Sequence, residues 1–111
     1  MENYNRIKEF VTGTKFYYLN DKYHRTDGPA KEWYDGSKAW YQNDKLHRID
    51  GPAREYSDGR KEWYINGLCH RIDGPAIELA NGDKEWYYED NFIDCNSQEE
   101  FERLIKLKLF W

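Results

Sequence analysis

His47–Ala53 reads HRIDGPA, His70–Ala76 repeats it letter for letter, and His24–Ala30 reads HRTDGPA. The three copies begin 23 residues apart. An imidazole, a guanidinium, a carboxylate and a Gly-Pro step within seven residues suit either a reactive loop or a joint. The flanking sequence decides between them. Aligned on the next glycine, the stretches from Lys8, Lys31, Arg54 and Ile77 read KEFVTGTKFYY, KEWYDGSKAWY, REYSDGRKEWY and IELANGDKEWY. Each has Glu second (Glu9, Glu32, Glu55, Glu78), Gly sixth (Gly13, Gly36, Gly59, Gly82) and Lys eighth (Lys15, Lys38, Lys61, Lys84). Two aromatics close each stretch: Tyr17-Tyr18, Trp40-Tyr41, Trp63-Tyr64 and Trp86-Tyr87. A fixed period of this size marks a repeat array, here four units joined by three connectors.

The unit reads as β-structure. Asp-Gly or Asn-Gly between aromatic runs is a hairpin signal, because glycine accepts the positive φ that strains other residues. With Gly36 as the left-handed residue of a three-residue loop, Glu32 falls opposite Lys38 and Ala30 opposite Trp40. That register gives every unit one opposite-charge pair and one small-against-large pair. Second turns are expected at Asn20-Asp21, Asn43-Asp44 and Asn66-Gly67, placing His47 across from Trp40 and Arg71 across from Glu62. The expected fold is mainly β: an elongated, single-layer antiparallel meander of four repeated hairpins, about eight strands, with a C-terminal capping helix.

The connectors then read as joints. The residue before proline is held extended, and proline donates nothing to a ladder, so Asp-Gly-Pro marks a bend. His24, His47, His70, Asp27, Asp50, Asp73, Gly28, Gly51, Gly74, Pro29, Pro52 and Pro75 are accordingly assigned structural roles. Arg48 and Asp50, two residues apart, are expected to pair, and Asp50→Ala to cost roughly 1–3 kcal/mol if the pair is partly buried. Equivalent histidines lie about two strand spacings apart, roughly 9–10 Å, too far to share one zinc. No metal ligands, catalytic residues or cofactor are therefore expected, and an enzyme is the least favoured class.

At 111 residues a single small domain is expected. Mean hydropathy is -1.14 and 34% of residues are charged, which alone would suggest disorder. Five Trp and ten Tyr supply the burial that opposes it. Net charge is -4 with no basic block, which argues against nucleic acid as a direct partner. No stretch reaches the ~20 apolar residues of a membrane span, and MENYNRIKEF carries no signal-peptide core. Two isolated cysteines, Cys69 and Cys95, suggest idle thiols in a reducing compartment. The expected location is cytoplasmic, or the host-cell cytoplasm if the chain is viral.

After the last hairpin, FIDCNSQ (92–98) stands where a fourth connector would come. SQEEFERLIKLKLFW (97–111) then places Glu100 three residues after Ser97, a capping box, with apolar residues at helical spacing. The division expected is a hairpin array over 1–96 and a helical cap over 97–111, the helix running from Gln98 to Phe110.

Trp63–Gly82, WYINGLCHRIDGPAIELANG, resembles MORN-type repeats, in particular the divergent variant of about this period. The resemblance extends over nearly all of residues 7–92 and rests on Tyr64, Gly67, His70 and Gly82. The departure is that Arg71, Ile72 and DGPA follow the histidine, where MORN repeats usually have a Gly-rich step. The connectors followed by the QEEFERLIKLKLFW tail also resemble small bacteriophage proteins. The resemblance implies a twisted hairpin array that binds proteins or lipids and catalyses nothing. Its phage side implies a partner in a host defence system such as CRISPR, and bacterial relatives of the variant imply an antitoxin-like role.

A single sheet leaves aromatics exposed, and exposed Trp and Tyr are typical contact hot spots. The expected function is thus non-enzymatic binding, and inhibition, of a protein partner. The expected surface is Tyr17, Trp40, Trp63 and Trp86 beside Lys38 and Lys61, with Arg48 and Arg71. Replacing Trp40 or Trp63 is expected to weaken binding and leave the fold intact. The rival row, Phe10, Trp33, Tyr56 and Leu79 with Tyr18, Tyr41, Tyr64 and Tyr87, is where the helix is expected to fold back. The alternative function is sequestering a nucleotide by stacking on Trp and pairing with Arg48 or Arg71.

Overall fold

Each Gly hairpin closes as its glycine dictates. Trp33 N–H donates to Ser37 O (2.9 Å) and Gly36 N–H to Trp33 O (3.0 Å), with Gly36 at φ 93°. This is the three-residue loop with a left-handed glycine, and the units at Phe10, Tyr56 and Leu79 repeat it. Glu32 pairs with Lys38 and Lys31 with Ala39. The second turns are two-residue loops with both residues left-handed: Asn20-Asp21, Asn43-Asp44, Asn66-Gly67 and, in the last unit, Glu89-Asp90, the geometry that matches strand twist.

The computed structural model describes residues 3–108, an elongated body of 47 × 33 × 17 Å. Its strands, among the described residues, are β1 (Arg6–Glu9), β2 (Lys15–Leu19), β3 (Lys22–Tyr23), β4 (Lys31–Glu32), β5 (Lys38–Ala39), β6 (Tyr41–Gln42), β7 (Lys45–Leu46), β8 (Arg54–Glu55), β9 (Lys61–Glu62), β10 (Tyr64–Ile65), β11 (Leu68–Cys69), β12 (Ile77–Glu78), β13 (Lys84–Tyr88) and β14 (Asn91–Ile93). One helix follows, α1 (Gln98–Lys108); the expected last residues Leu109 and Phe110 lie outside the described residues. The protein is mainly β, an elongated antiparallel array of hairpins with a C-terminal helix. The main sheet runs β1-β2-β4-β5-β8-β9-β12-β13-β14 with β3 beside β2, while β6-β7 and β10-β11 pair separately.

Among the described residues the strands number fourteen rather than about eight because each second turn adds a short return strand (β3, β7, β11 and β14) and two of the long strands are interrupted at the aromatic pair, giving β5 and β6 and β9 and β10. Lys38–Ala39 bonds into the main sheet on both sides. At Trp40 the chain changes partners: its N–H donates to Ala53 O (2.7 Å), and its carbonyl accepts from His47 N–H (2.9 Å). Tyr41–Gln42 then pairs with Lys45–Leu46. Trp63 forks identically through Ala76, and Tyr17 makes the same bonds through Ala30 while β2 stays continuous because β1 pairs along it as far as Tyr18. These close approaches explain the alanines that end the connectors, since Ala30, Ala53 and Ala76 are fully buried.

His47 does lie across from Trp40, but Arg71 leaves the Glu62 register: its N–H reaches Tyr87 O (3.5 Å), and Glu62 pairs with Arg60 instead (2.7 Å). The side hairpins stack on one another through their turns. Asp44 N–H donates to Tyr23 O (3.0 Å) and Asp44 Oδ1 accepts from Tyr23 N–H (2.6 Å). Asp90 repeats the exchange with Cys69.

Ser97 caps the helix, its Oγ accepting from Glu100 N–H (3.1 Å), while Glu100 Oε1 accepts from Asn96 N–H (2.9 Å). The helix seats on the Trp face and not on the Tyr face: Trp86 Nε1–H donates to Gln98 Oε1 (2.8 Å), and Gln98 Nε2 donates to Ile72 O (2.8 Å). Phe101 is fully buried.

Candidate functional site

Cross-strand partners share a face, so the register sorts the sheet into two surfaces. One carries Glu32, Lys38, Trp40 and the connector arginines; the other carries Lys31, Trp33, Arg54, Tyr56 and the Tyr row. On the first, Glu9, Lys15, Glu32, Lys38, Glu55, Lys61, Glu78 and Lys84 form one unbroken alternating row. Lys38 and Lys61 thus each stand between two glutamates, and the lysine column makes no free cationic stripe.

The connector arginines lie over the aromatic row. Arg25 Cζ stands 4.0 Å above the Tyr17 ring, Arg48 Cζ 3.8 Å above Trp40, and Arg71 Cζ 3.9 Å above Trp63. Each guanidinium is also tied at its edges. Arg48 Nε donates to Asp50 Oδ1 (3.1 Å), and Nη1 donates to Pro52 O (3.1 Å) and Glu55 Oε2 (3.1 Å). Arg25 and Arg71 make the same three contacts. Burial opposes the Arg25 charge, but the Asp27 hydrogen bond and neighbouring negative groups outweigh it and raise its pKa. Hydrogen bonds from Asn3 and Arg25 hold the Asp27 carboxyl below its ordinary range.

The connector glycine is needed for this stack and not for a left-handed turn. A Cβ on Gly28, Gly51 or Gly74 would lie 2.9, 2.9 or 2.6 Å from the guanidinium carbon of Arg25, Arg48 or Arg71. Proline supplies the carbonyl acceptor, and histidine locks the next repeat. His24, His47 and His70 Nδ1 accept from the N–H groups of Asn43, Asn66 and Glu89 at 3.1, 3.0 and 2.9 Å. His24 is buried, and its Nε2 has no partner among the described residues. Serine hydroxyls are occupied as well: Ser97 caps the helix, Ser37 Oγ accepts from Ser57 N–H (3.0 Å), and Ser57 Oγ donates to Asp35 (3.4 Å).

The aromatic row is capped at both ends. Tyr17 is 7% exposed beneath Tyr4, whose ring meets it edge-on at 4.9 Å. Trp86, with no connector arginine to cover it, is 7% exposed beside Gln98. Neither is open to a partner, so of this row Trp40 and Trp63 are the two that remain half-buried. They form the floors of two equivalent grooves of about 590 and 600 Å³ between successive connectors. Arg48 and Arg71 line these grooves with Nε and Nη1 already bonded within the connectors.

The residues missed in the sequence are at the groove lips. Ile49 is 84% and Ile72 58% exposed, in the variable position of the connector, while Thr26 occupies it in the first copy. The signal was a branched apolar residue in an otherwise polar loop. No helix among the described residues is long and apolar enough to cross a membrane. Comparison with family models, curated proteins and solved structures yields no match.

Proposed function

We propose that this chain is a non-enzymatic binding protein whose connector face seats a protein partner across the two grooves, with Ile49 and Ile72 as the apolar contacts. One observation carries the reading. The fold is satisfied without these isoleucines, yet two adjacent repeats hold them 84% and 58% exposed beside half-buried tryptophans. A small apolar centre ringed by paired charges is the composition of a contact patch. Trp40 and Trp63 serve both as groove floors and as supports for Arg48 and Arg71. The resemblance to MORN-type repeats and to small bacteriophage proteins agrees with a binding role and, by analogy, favours a partner from a host defence system.

The test is capture of a partner from the native host by the full chain, followed by titration against the identified partner. Ile49→Asp with Ile72→Asp should weaken binding roughly tenfold or more at unchanged melting temperature, whereas Val11→Asp should bind as the parent does. Equal affinity of the double variant, or failure of the parent chain to capture any partner, overturns the reading.

A further inference from the structure

Trp33 and Tyr56, on the opposite face of the sheet, line a slot of about 310 Å³ together with Asp35, Ser37 and Arg54 and with the paired Lys38 and Glu55 at its edge. Its walls directly follow β4 and β8, which are separated by β5 and so lie roughly 9.5 Å apart at the backbone. That is room for one planar ring between two others. The next repeat shows what closes such a slot. Arg60 stands there in the place of Ser37, its guanidinium 5.7 Å from the Tyr56 ring centre and matched by Glu62 at 2.7 Å.

Among the described residues Arg54 is the one arginine without an ion pair. Arg6, Arg25, Arg48, Arg60, Arg71 and Arg103 all have a carboxylate within 4.0 Å. Half-buried Arg54 has neither an ion pair nor a side-chain hydrogen bond among the described residues, only the Tyr56 ring at 5.0 Å. Its cross-strand neighbours are Ala39 and Glu62, and both Glu62 oxygens are engaged, by Arg60 and Tyr64. Lys31 is close enough for the two positive charges to oppose each other. It is enclosed by rings, 3.9 Å from the Tyr23 centre and 4.8 Å from that of Tyr41, and among the described residues it forms no ion pair, the Asp44 carboxylate acting on it only from farther away. Burial first, and Arg54 second, lower its pKa. Two half-buried cations carry a desolvation cost that an anion would offset.

We propose that this slot binds a nucleoside monophosphate, its base stacked between Trp33 and Tyr56 and its phosphate on the Arg54 guanidinium. A planar guanidinium takes a phosphate through two parallel hydrogen bonds, and Lys31, near Arg54 but outside the slot lining, adds to the positive potential there. Asp35 is held ionised by the Ser37 N–H (2.9 Å) and offers an acceptor to base N–H groups. The slot lies across the sheet from the connector grooves, so it stands or falls independently of the protein-binding reading.

Calorimetric titration of the full chain with AMP, GMP, CMP and UMP, and separately with adenosine and inorganic phosphate, tests it. At least one monophosphate should bind with Kd below about 1 mM, with adenosine and phosphate each roughly tenfold weaker. Arg54→Gln should lose about tenfold, Ser37→Arg should abolish binding by filling the slot as Arg60 does, and Lys106→Gln should match the parent. No binding by any monophosphate overturns the proposal. So does phosphate binding as tightly as the nucleotide, or Arg54→Gln or Ser37→Arg variants that fold and bind normally.

Discussion

Gly51→Ala isolates the physical reason for the connector. Gly51 is not left-handed, so alanine suits its backbone and by itself stabilises by about 0.4–1 kcal/mol through the unfolded chain. The new Cβ, however, would stand 2.9 Å from Arg48 Cζ and 3.1 Å from both Nε and Nη1. A long side chain can usually swing away, but this guanidinium is pinned between Trp40 and Gly51 and bonded to Asp50, Pro52 and Glu55. The stack contributes about 0.5–2 kcal/mol, and the Pro52 and Glu55 bonds about 1 kcal/mol each. The Asp50 pair adds little because that side chain is 87% exposed, which also reduces the expected cost of Asp50→Ala to about 0.5 kcal/mol. Losing half to most of the set, less the alanine gain, predicts a net destabilisation of about 1–2 kcal/mol. The melting temperature should then fall by about 4–8 °C. The assay is a double-mutant cycle by urea denaturation. In an Arg48→Met background, Gly51→Ala should be neutral or slightly stabilising, giving a coupling of about 1.5–2.5 kcal/mol. Equal costs in both backgrounds would refute the claim that glycine is there to admit the guanidinium.

Two further predictions concern the thiols and acid stability. Cys69 is buried, and burial with the nearby Glu62 charge pushes its thiol pKa up to about 12; Cys95 is more open. Iodoacetamide at mildly alkaline pH should therefore modify Cys95 well before Cys69, as read by peptide mass spectrometry, and the reverse order would contradict the buried placement. The Asp35 carboxyl lies below its ordinary range because Ser37 N–H donates to it. Its contribution to stability is therefore present above the ordinary carboxylate pKa and is lost as pH falls through the lowered value. Asp35→Asn keeps an acceptor for Ser37 but cannot titrate. The stability difference between parent and variant should shrink as pH drops from about 5 to 2, and a constant difference would refute the assignment.

Local chemistry was legible in the sequence because it depends on residues close along the chain. A left-handed glycine four residues after each Glu determines the three-residue loop, and that loop sets Glu32 against Lys38. The two-residue turns and the Ser97 cap follow in the same way, from side chains and backbone within a few residues of one another. The fork at Trp40 was not legible, because a continuous strand and a forked one have the same period. What separates them is the hydrogen bond from Trp40 to Ala53, which only the docked neighbouring repeat supplies. The same reason removed Arg71 from the Glu62 register and buried Tyr17 and Trp86 at the ends of the row. It also brought the helix onto the Trp face, where Gln98 meets the one row tryptophan that has no connector arginine above it. Composition marked the arginines as available cations. Only the stacking of repeats showed that Arg48 and Arg71 are consumed by the joints while Arg54, opposite an alanine on one side and an engaged glutamate on the other, is left over.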